Sequence, residues 1–430
     1  MPDATDSAHN PPVLTAAERR ANLWKALGPG ILVSCAAVGG SHLVWSTRAG
    51  AEFGWTLVGL ILLANLFKYP FFLYGQRYTA ATGESLLAGY RRQGRRYVWI
   101  FLLINILTGT INIAGVGMLS GALLAGYGIT AISVAWLTVG LIGLCAGLLL
   151  LGHYKLLDGM AKVVIITLAL STLLAVGLAV PGHAAPPADF AAPSPWTWLA
   201  FPFLISLLGW MPAPVDLSAW SSLWMFSRRD QTGHMATVRE TSIDFYLGYA
   251  AAVVLAVLFV ALGALVMFGT GQAFAEGGIG FSNQLVALYT ATIGEWSRPL
   301  ILSAAFITMF STTLTCVDGY PRSLAACCVL LDLAPARRFE RIHQVWMVIS
   351  AVVAAVVVLV FVKNLLQLLT FAAVVSFLTS PVLAWINFKV MRGDNVPPAE
   401  RPGAAMRALS WAGLGFFALM TAGYVYVLVK

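Results

Sequence analysis

Two short segments hold the residues whose types and spacing could do chemistry: Val38-Gly39-Gly40-Ser41-His42 and Gly209-Trp210-Met211-Pro212-Ala213-Pro214. Each places helix breakers at the centre of an apolar run, which frees backbone N–H and C=O groups and adds a few polar side chains. Free backbone at that depth of a membrane survives only where protein or a wet cavity satisfies it, so the pair reads as a ligand site. Gly39, Gly40, Ser41, His42, Leu208, Trp210, Met211 and Asp216 are the candidate substrate-binding residues. The imidazole of His42 and the thioether of Met211 are the candidate metal ligands, because such donors suit late first-row divalent ions. Carbonyls of Val38, Gly39 and Leu208 could add oxygen. Negative charge is scarce, and a divalent ion among neutral ligands is costly to desolvate, so Asp216 is the nearest compensating carboxylate. The opposite chemistry is also open. The N–H ends at 40–43 and 213–216 carry roughly half a positive charge each and would favour an anion or a carboxylate-bearing solute between Trp45 and Trp210. The bland alternatives are a turn-capping His42, a space-filling Met211, a helix-capping Asp216, and glycines that serve only close packing.

Other polar residues inside apolar runs need partners. Asp318 and Arg322 are four apart, as are Arg48 and Glu52, a spacing that pairs charges on one helix face and suggests gating or lip ion pairs. Asn105 and Asn112, seven apart, share a face as interhelical glue or pathway lining. Lys68 and Asp244 are costly if lipid-facing and could belong to a charge relay. Thr312, Thr313 and Thr315 could line a path or join helices.

The elements that must position these residues are membrane spans. Hydrophobic residues make up 59% of the 430 positions and charged ones only 10%, which excludes a soluble domain. Apolar runs place eleven spans at 28–48, 54–78, 97–125, 129–152, 158–181, 197–226, 243–270, 298–331, 342–363, 365–390 and 408–429. A small extracellular helix is expected at 280–293. The net charge of +8 is topological: Arg19, Arg20, Lys25, Arg91, Arg92, Arg95, Arg96, Arg228, Arg229, Arg337, Arg338, Arg341, Lys389 and Arg392 fall on alternate loops. The positive-inside rule then puts the N-terminus in the cytoplasm and, after an odd number of spans, the C-terminus outside, in a multi-pass protein of a bacterial inner membrane. Lipid and a small solute or ion are the expected partners, and a nucleic acid is not. No cofactor is expected beyond a transported metal ion. No Walker A loop and no soluble insertion of domain size occurs, which disfavours ATP-driven pumping, and the chain is expected to be a transporter and not an enzyme. Cys35, Cys145, Cys316, Cys327 and Cys328 lie in apolar runs and read as small core residues.

Residues 1–24 are expected to be a disordered cytoplasmic tail, 25–181 a first five-helix unit, 197–390 a second, and 391–430 a linker with the eleventh span. The breakers sit about a dozen residues into each unit, and five is odd, so the second unit is inverted. The fold class expected is an all-α polytopic membrane protein with a LeuT-like 5+5 inverted repeat and discontinuous spans 1 and 6.

Gly28-Pro29-Gly30-Ile31-Leu32, then Arg48-Ala49-Gly50-Ala51-Glu52-Phe53-Gly54-Trp55 and Leu63-Ala64-Asn65-Leu66, together with Met211-Pro212, resemble the NRAMP family of divalent-metal transporters over about residues 25–390. The resemblance implies a divalent-metal transporter working by alternating access. In that alignment Gly39 stands where the family has its ligand aspartate, His42 where it has an asparagine, Ala213 where it has the histidine of M-P-H and Ala373 near its glutamine. These departures make proton coupling doubtful and leave a carrier of a small anion or zwitterion as the alternative, with a non-transporting sensor behind it.

Overall fold

The computed structural model describes residues 15–129, 131–151, 154–182, 186–275, 277–361 and 364–430, with backbone alone at 154–162, 164, 165, 182 and 361. The regular elements among them are all helical. Residues 1–14 of the expected disordered tail lie outside the described residues, but the rest of that segment corrects the expectation: α1 spans Ala16–Ala26. A reciprocal capping box between Thr15 and Glu18 starts it, and Lys25 closes its last turn. Arg228 then docks it by donating to the carbonyls of Lys25 (2.8 Å) and Trp24 (3.2 Å).

The first span is α2 (Pro29–Ala37), a π-helical stretch (Ser41–Ser46) and α3 (Thr47–Phe53), with a bend of 47° at the break. There follow α4 (Val58–Thr82), α5 (Leu86–Gln93), α6 (Arg95–Ala125), α7 (Val134–Leu150) and α8 (Tyr154–Gly182). The sixth span is α9 (Phe201–Trp210) and α10 (Leu217–Thr232), separated by unwound chain. Then come α11 (Val238–Val266), α12 (Gly278–Ile293), α13 (Arg298–Leu330), α14 (Phe339–Val356), α15 (Leu365–Met391) and α16 (Ala404–Val429). The helix expected at 280–293 is α12.

Among the described residues seven helices are long and apolar enough to cross a membrane, eight if the bent first pair counts as one. The other three of the eleven expected spans fall on shorter apolar helices, Val134–Leu150, Ile166–Pro181 and Phe201–Trp210. Phe201–Trp210 is short because Pro212 and Pro214 follow it and the chain turns extended at Met211. The chain is a multi-pass integral membrane protein, and it is held at its centre by α13, most of whose residues are buried, with α16 at the edge.

The two halves of span 1 are both pressed onto α11. A Cβ on Gly30 would lie 2.4 Å from the Asp244 carbonyl oxygen and one on Gly248 2.2 Å from that of Gly30. Across the break, a Cβ on Gly50 would come within 2.0 Å of the Val260 oxygen and one on Gly263 within 2.2 Å of that of Thr47. Small residues on both sides let backbones meet where no hydrophobic force draws helices together. Asp244 serves the N-terminus of α2 as a remote cap, its carboxylate accepting from Gly28 N (3.0 Å) and Gly30 N (2.5 Å). Its carboxylate is thus engaged at the start of α2.

Candidate functional site

Both expected interruptions are present. Helix α2 stops at Ala37, and Val38 and Gly39 leave the helical path before the π-stretch begins. Thr312 of α13 braces this break, its hydroxyl lying 3.1 Å from the Cys35 oxygen and 3.3 Å from that of Val38. A Cβ on Gly39 would meet Thr312 at 2.9 Å, and one on Gly40 would meet the Trp210 ring at 2.5 Å. The glycines are therefore required by packing, and a longer side chain at Gly39 has no room in this arrangement.

His42 does not face the cavity. Its Nε2 lies 2.8 Å from the Ala252 carbonyl of α11 and its Nδ1 2.6 Å from Ser41 Oγ. A carbonyl only accepts, so Nε2 carries a proton, while the Ser41 hydroxyl lies between Nδ1 and the Ala37 carbonyl, to which it donates. Both ring nitrogens are therefore engaged by the protein's own groups. Met211, at the end of α9, is fully buried and is also absent from the cavity wall. Asp216 precedes α10 without capping it. It accepts from Thr108 Oγ1 at 3.3 Å, and it is its neighbour Leu217, not Asp216 itself, that lines the cavity.

The unwound chain of span 6 has a partner that sequence reasoning noticed but did not place. Lys68 of α4 donates to the carbonyls of Leu208 (2.7 Å), Gly209 (2.9 Å) and Ala213 (2.9 Å). The Leu208 oxygen, expected to face a ligand, is thus taken by an ammonium.

Between the two breaks lies a cavity of about 30 Å³ lined by Gly40, Ser41, Asn112, Trp210, Pro212, Thr312, Cys316 and Tyr320, among others. Its lining includes no carboxylate, imidazole or ammonium, and among the described residues no three of His, Cys, Asp and Glu gather in one place. Asn112 organises one wall. Its Oδ1 accepts from Trp210 Nε1 (3.1 Å), and its Nδ2 donates to Tyr320 OH (2.7 Å) and Ser376 Oγ (3.2 Å). Asn105, on the same face, donates instead to Ser323 (2.8 Å), away from the cavity. Tyr320, Cys316 and Trp220 are wall residues that the sequence reading missed as such. The helical period of the Thr312–Tyr320 stretch was the available signal.

The outlying pairs form as spaced. Arg48 and Glu52 meet at 2.7 Å, with the guanidinium over the Trp45 and Phe203 rings. Arg322 meets Asp318 at 2.7 Å, and Asp318 also accepts from Trp224 Nε1 (2.8 Å) and stands 3.5 Å from His343 Nε2, a neighbour not foreseen. All five cysteines are buried and outside any disulfide.

The chain resembles solved transporters throughout its length. It superposes on variants of the manganese transporter of Eremococcus coleocola with a TM-score of 0.69 at 15% identity, covering 95% of this chain and 87% of that one. MhsT in complex with L-phenylalanine gives 0.57 at 14% identity, covering 93% and 97%, and Mhp1, a nucleobase-cation-symport transporter, gives 0.59 at 15%, covering 94% and 90%. These likenesses establish a LeuT-like fold. An uncharacterised protein of Pasteurella multocida is 40% identical over 378 residues, 86% of each chain. The family described as natural resistance-associated macrophage protein-like matches residues 30–428, and the chain belongs to that Nramp family.

Proposed function

We propose that the chain is a secondary transporter of Nramp type that moves a metal ion by alternating access, the cargo resting between the broken centres of spans 1 and 6. The observation that carries this reading is the cavity enclosed by both breaks, whose wall presents the hydroxyls of Ser41, Thr312 and Tyr320, the Asn112 amide and the Cys316 thiol. Oxygen and sulfur donors of this kind suit first-row divalent ions. Family membership and the likeness to a manganese transporter support a metal cargo. Proton coupling through His42 is not part of the proposal, because both ring nitrogens are engaged with Ser41 and Ala252.

One observation favours a second reading, a small anion or zwitterion. No carboxylate lines the cavity, while the Lys68 side chain donates to the carbonyl of Ala213, one of its wall residues. Uptake into proteoliposomes containing a pH dye decides between them, using Mn²⁺, Mg²⁺, Zn²⁺, bicarbonate and amino acids. The metal reading expects saturable divalent uptake with no matching change of lumen pH. Uptake of bicarbonate or an amino acid without metal uptake would establish the second reading, and no uptake at all would leave the sensor.

A further inference from the structure

The last carbonyls of a helix have no partners within it and form the negative end of its dipole, so a helix that stops in mid-membrane is a cation site unless something fills it. In α9 those carbonyls belong to Leu208 and Gly209, and the unwound chain turns the Ala213 carbonyl onto the same point. The Lys68 ammonium stands there, 2.7, 2.9 and 2.9 Å from the three oxygens. Its three N–H donors match three acceptors, and the side chain is fully buried. Carbonyl oxygens at that distance around one point are also the donor set of a weakly hydrated monovalent cation. The ammonium therefore occupies the position of an ion, delivered on a tether from α4.

We propose that Lys68 is the resident cation of this protein: it fills the carbonyl site at the broken end of α9 that a dissolved monovalent cation would otherwise take. The site is thereby closed to inorganic cations, and the span 6 break is held in order without one. The proposal concerns what holds the break and is independent of the cargo, so it stands or falls separately from the transport reading.

The test is thermal unfolding of the purified full-length protein in choline chloride, with NaCl, KCl, methylammonium chloride or tetramethylammonium chloride added in turn. Wild type should show the same melting temperature in all of them. Lys68→Ala should melt lower in choline, by about 5 °C or more, since three buried carbonyls lose their donor. Methylammonium or an alkali ion should recover most of that loss in a saturable way, and tetramethylammonium, which has no N–H, should not. Recovery by neither methylammonium nor an alkali ion would overturn the proposal, as would a saturable alkali-ion shift in wild type. If Lys68→Ala does not accumulate, Lys68→Met, which keeps the chain length and loses the charge, takes its place with the same expectations. Failure of both variants to fold in choline, with folding restored when methylammonium is present during purification, supports the proposal. Failure of restoration overturns it.

Discussion

Asn112 shows how much one side chain can be asked to do in a membrane. It ties Trp210 of the span 6 break to Tyr320 of α13 and Ser376 of α15, so three elements of the cavity wall share one amide. Asn112→Leu keeps the bulk and leaves the Trp210 N–H and the Tyr320 hydroxyl without this partner. A buried polar group so abandoned costs about 1–3 kcal/mol. The variant should unfold at a clearly lower temperature and lose most uptake, whereas Asn105→Ala, which removes one bond to Ser323 away from the cavity, should keep its uptake. Equal loss in both would mean that the amides serve packing alone. His42 makes the contrary case. With its nitrogens committed to Ser41 and to Ala252 of α11, His42→Ala should lower stability by about 1–3 kcal/mol and leave the affinity for cargo unchanged. A tenfold or greater rise in KM at unaltered melting temperature would return the imidazole to the ligand site. The sequence made His42 look like a ligand because composition reveals a residue's donors and not the direction in which the π-stretch aims them.

At the scale of the element, glycines separate what packing requires from what it tolerates. Gly209 lies against α15 so closely that a Cβ would be 2.0 Å from the Ala373 backbone oxygen, while Gly147 of α7 has nothing within 4 Å. Gly209→Ala must push α9 from α15 and so displace the carbonyls that Lys68 holds, at a cost of about 1–3 kcal/mol or more. Gly147→Ala should be neutral or stabilising by up to about 1 kcal/mol, because alanine orders a helix better than glycine. Melting temperatures of the two purified variants check this, and a Gly209→Ala protein as stable as wild type would show that the contact is slack. The breaks themselves were legible because Gly39-Gly40 and Pro212-Pro214 act locally on the chain that contains them. The partner of the second break was not, since Lys68 is 140 residues from Leu208 in sequence and only folding joins them. Helix α1 was missed for the opposite reason. Its polar surface reads as tail, and the Thr15–Glu18 capping box that orders it is a local signal that went unread.

Over the whole molecule the charge pattern and the fold agree on one face. Cations from separate loops reach across to the ends of other spans: Arg91 and Arg95 donate to the carbonyls of Leu330 (2.9 Å) and Leu331 (2.6 Å), and Lys389 to the Tyr97 hydroxyl (2.7 Å). Arg228 reaches Lys25 in the same way. The start of span 1 therefore lies beside the end of span 6, and the start of span 3 beside the ends of spans 8 and 10, as alternating crossings require. This arrangement carries a prediction about the number of crossings. If α7, α8 and the α9–α10 pair each cross, the total is eleven and the two termini lie on opposite sides; if only the eight that meet the length criterion cross, they lie on the same side. The five native cysteines are buried, so single exposed cysteines can report the sides without removing them. Lys430→Cys in spheroplasts should react with a membrane-impermeant maleimide, and Arg19→Cys should react only after the membrane is opened. Protection of both until permeabilisation would put the termini together, and would require that α7, α8 or the broken sixth span enter the bilayer without crossing it.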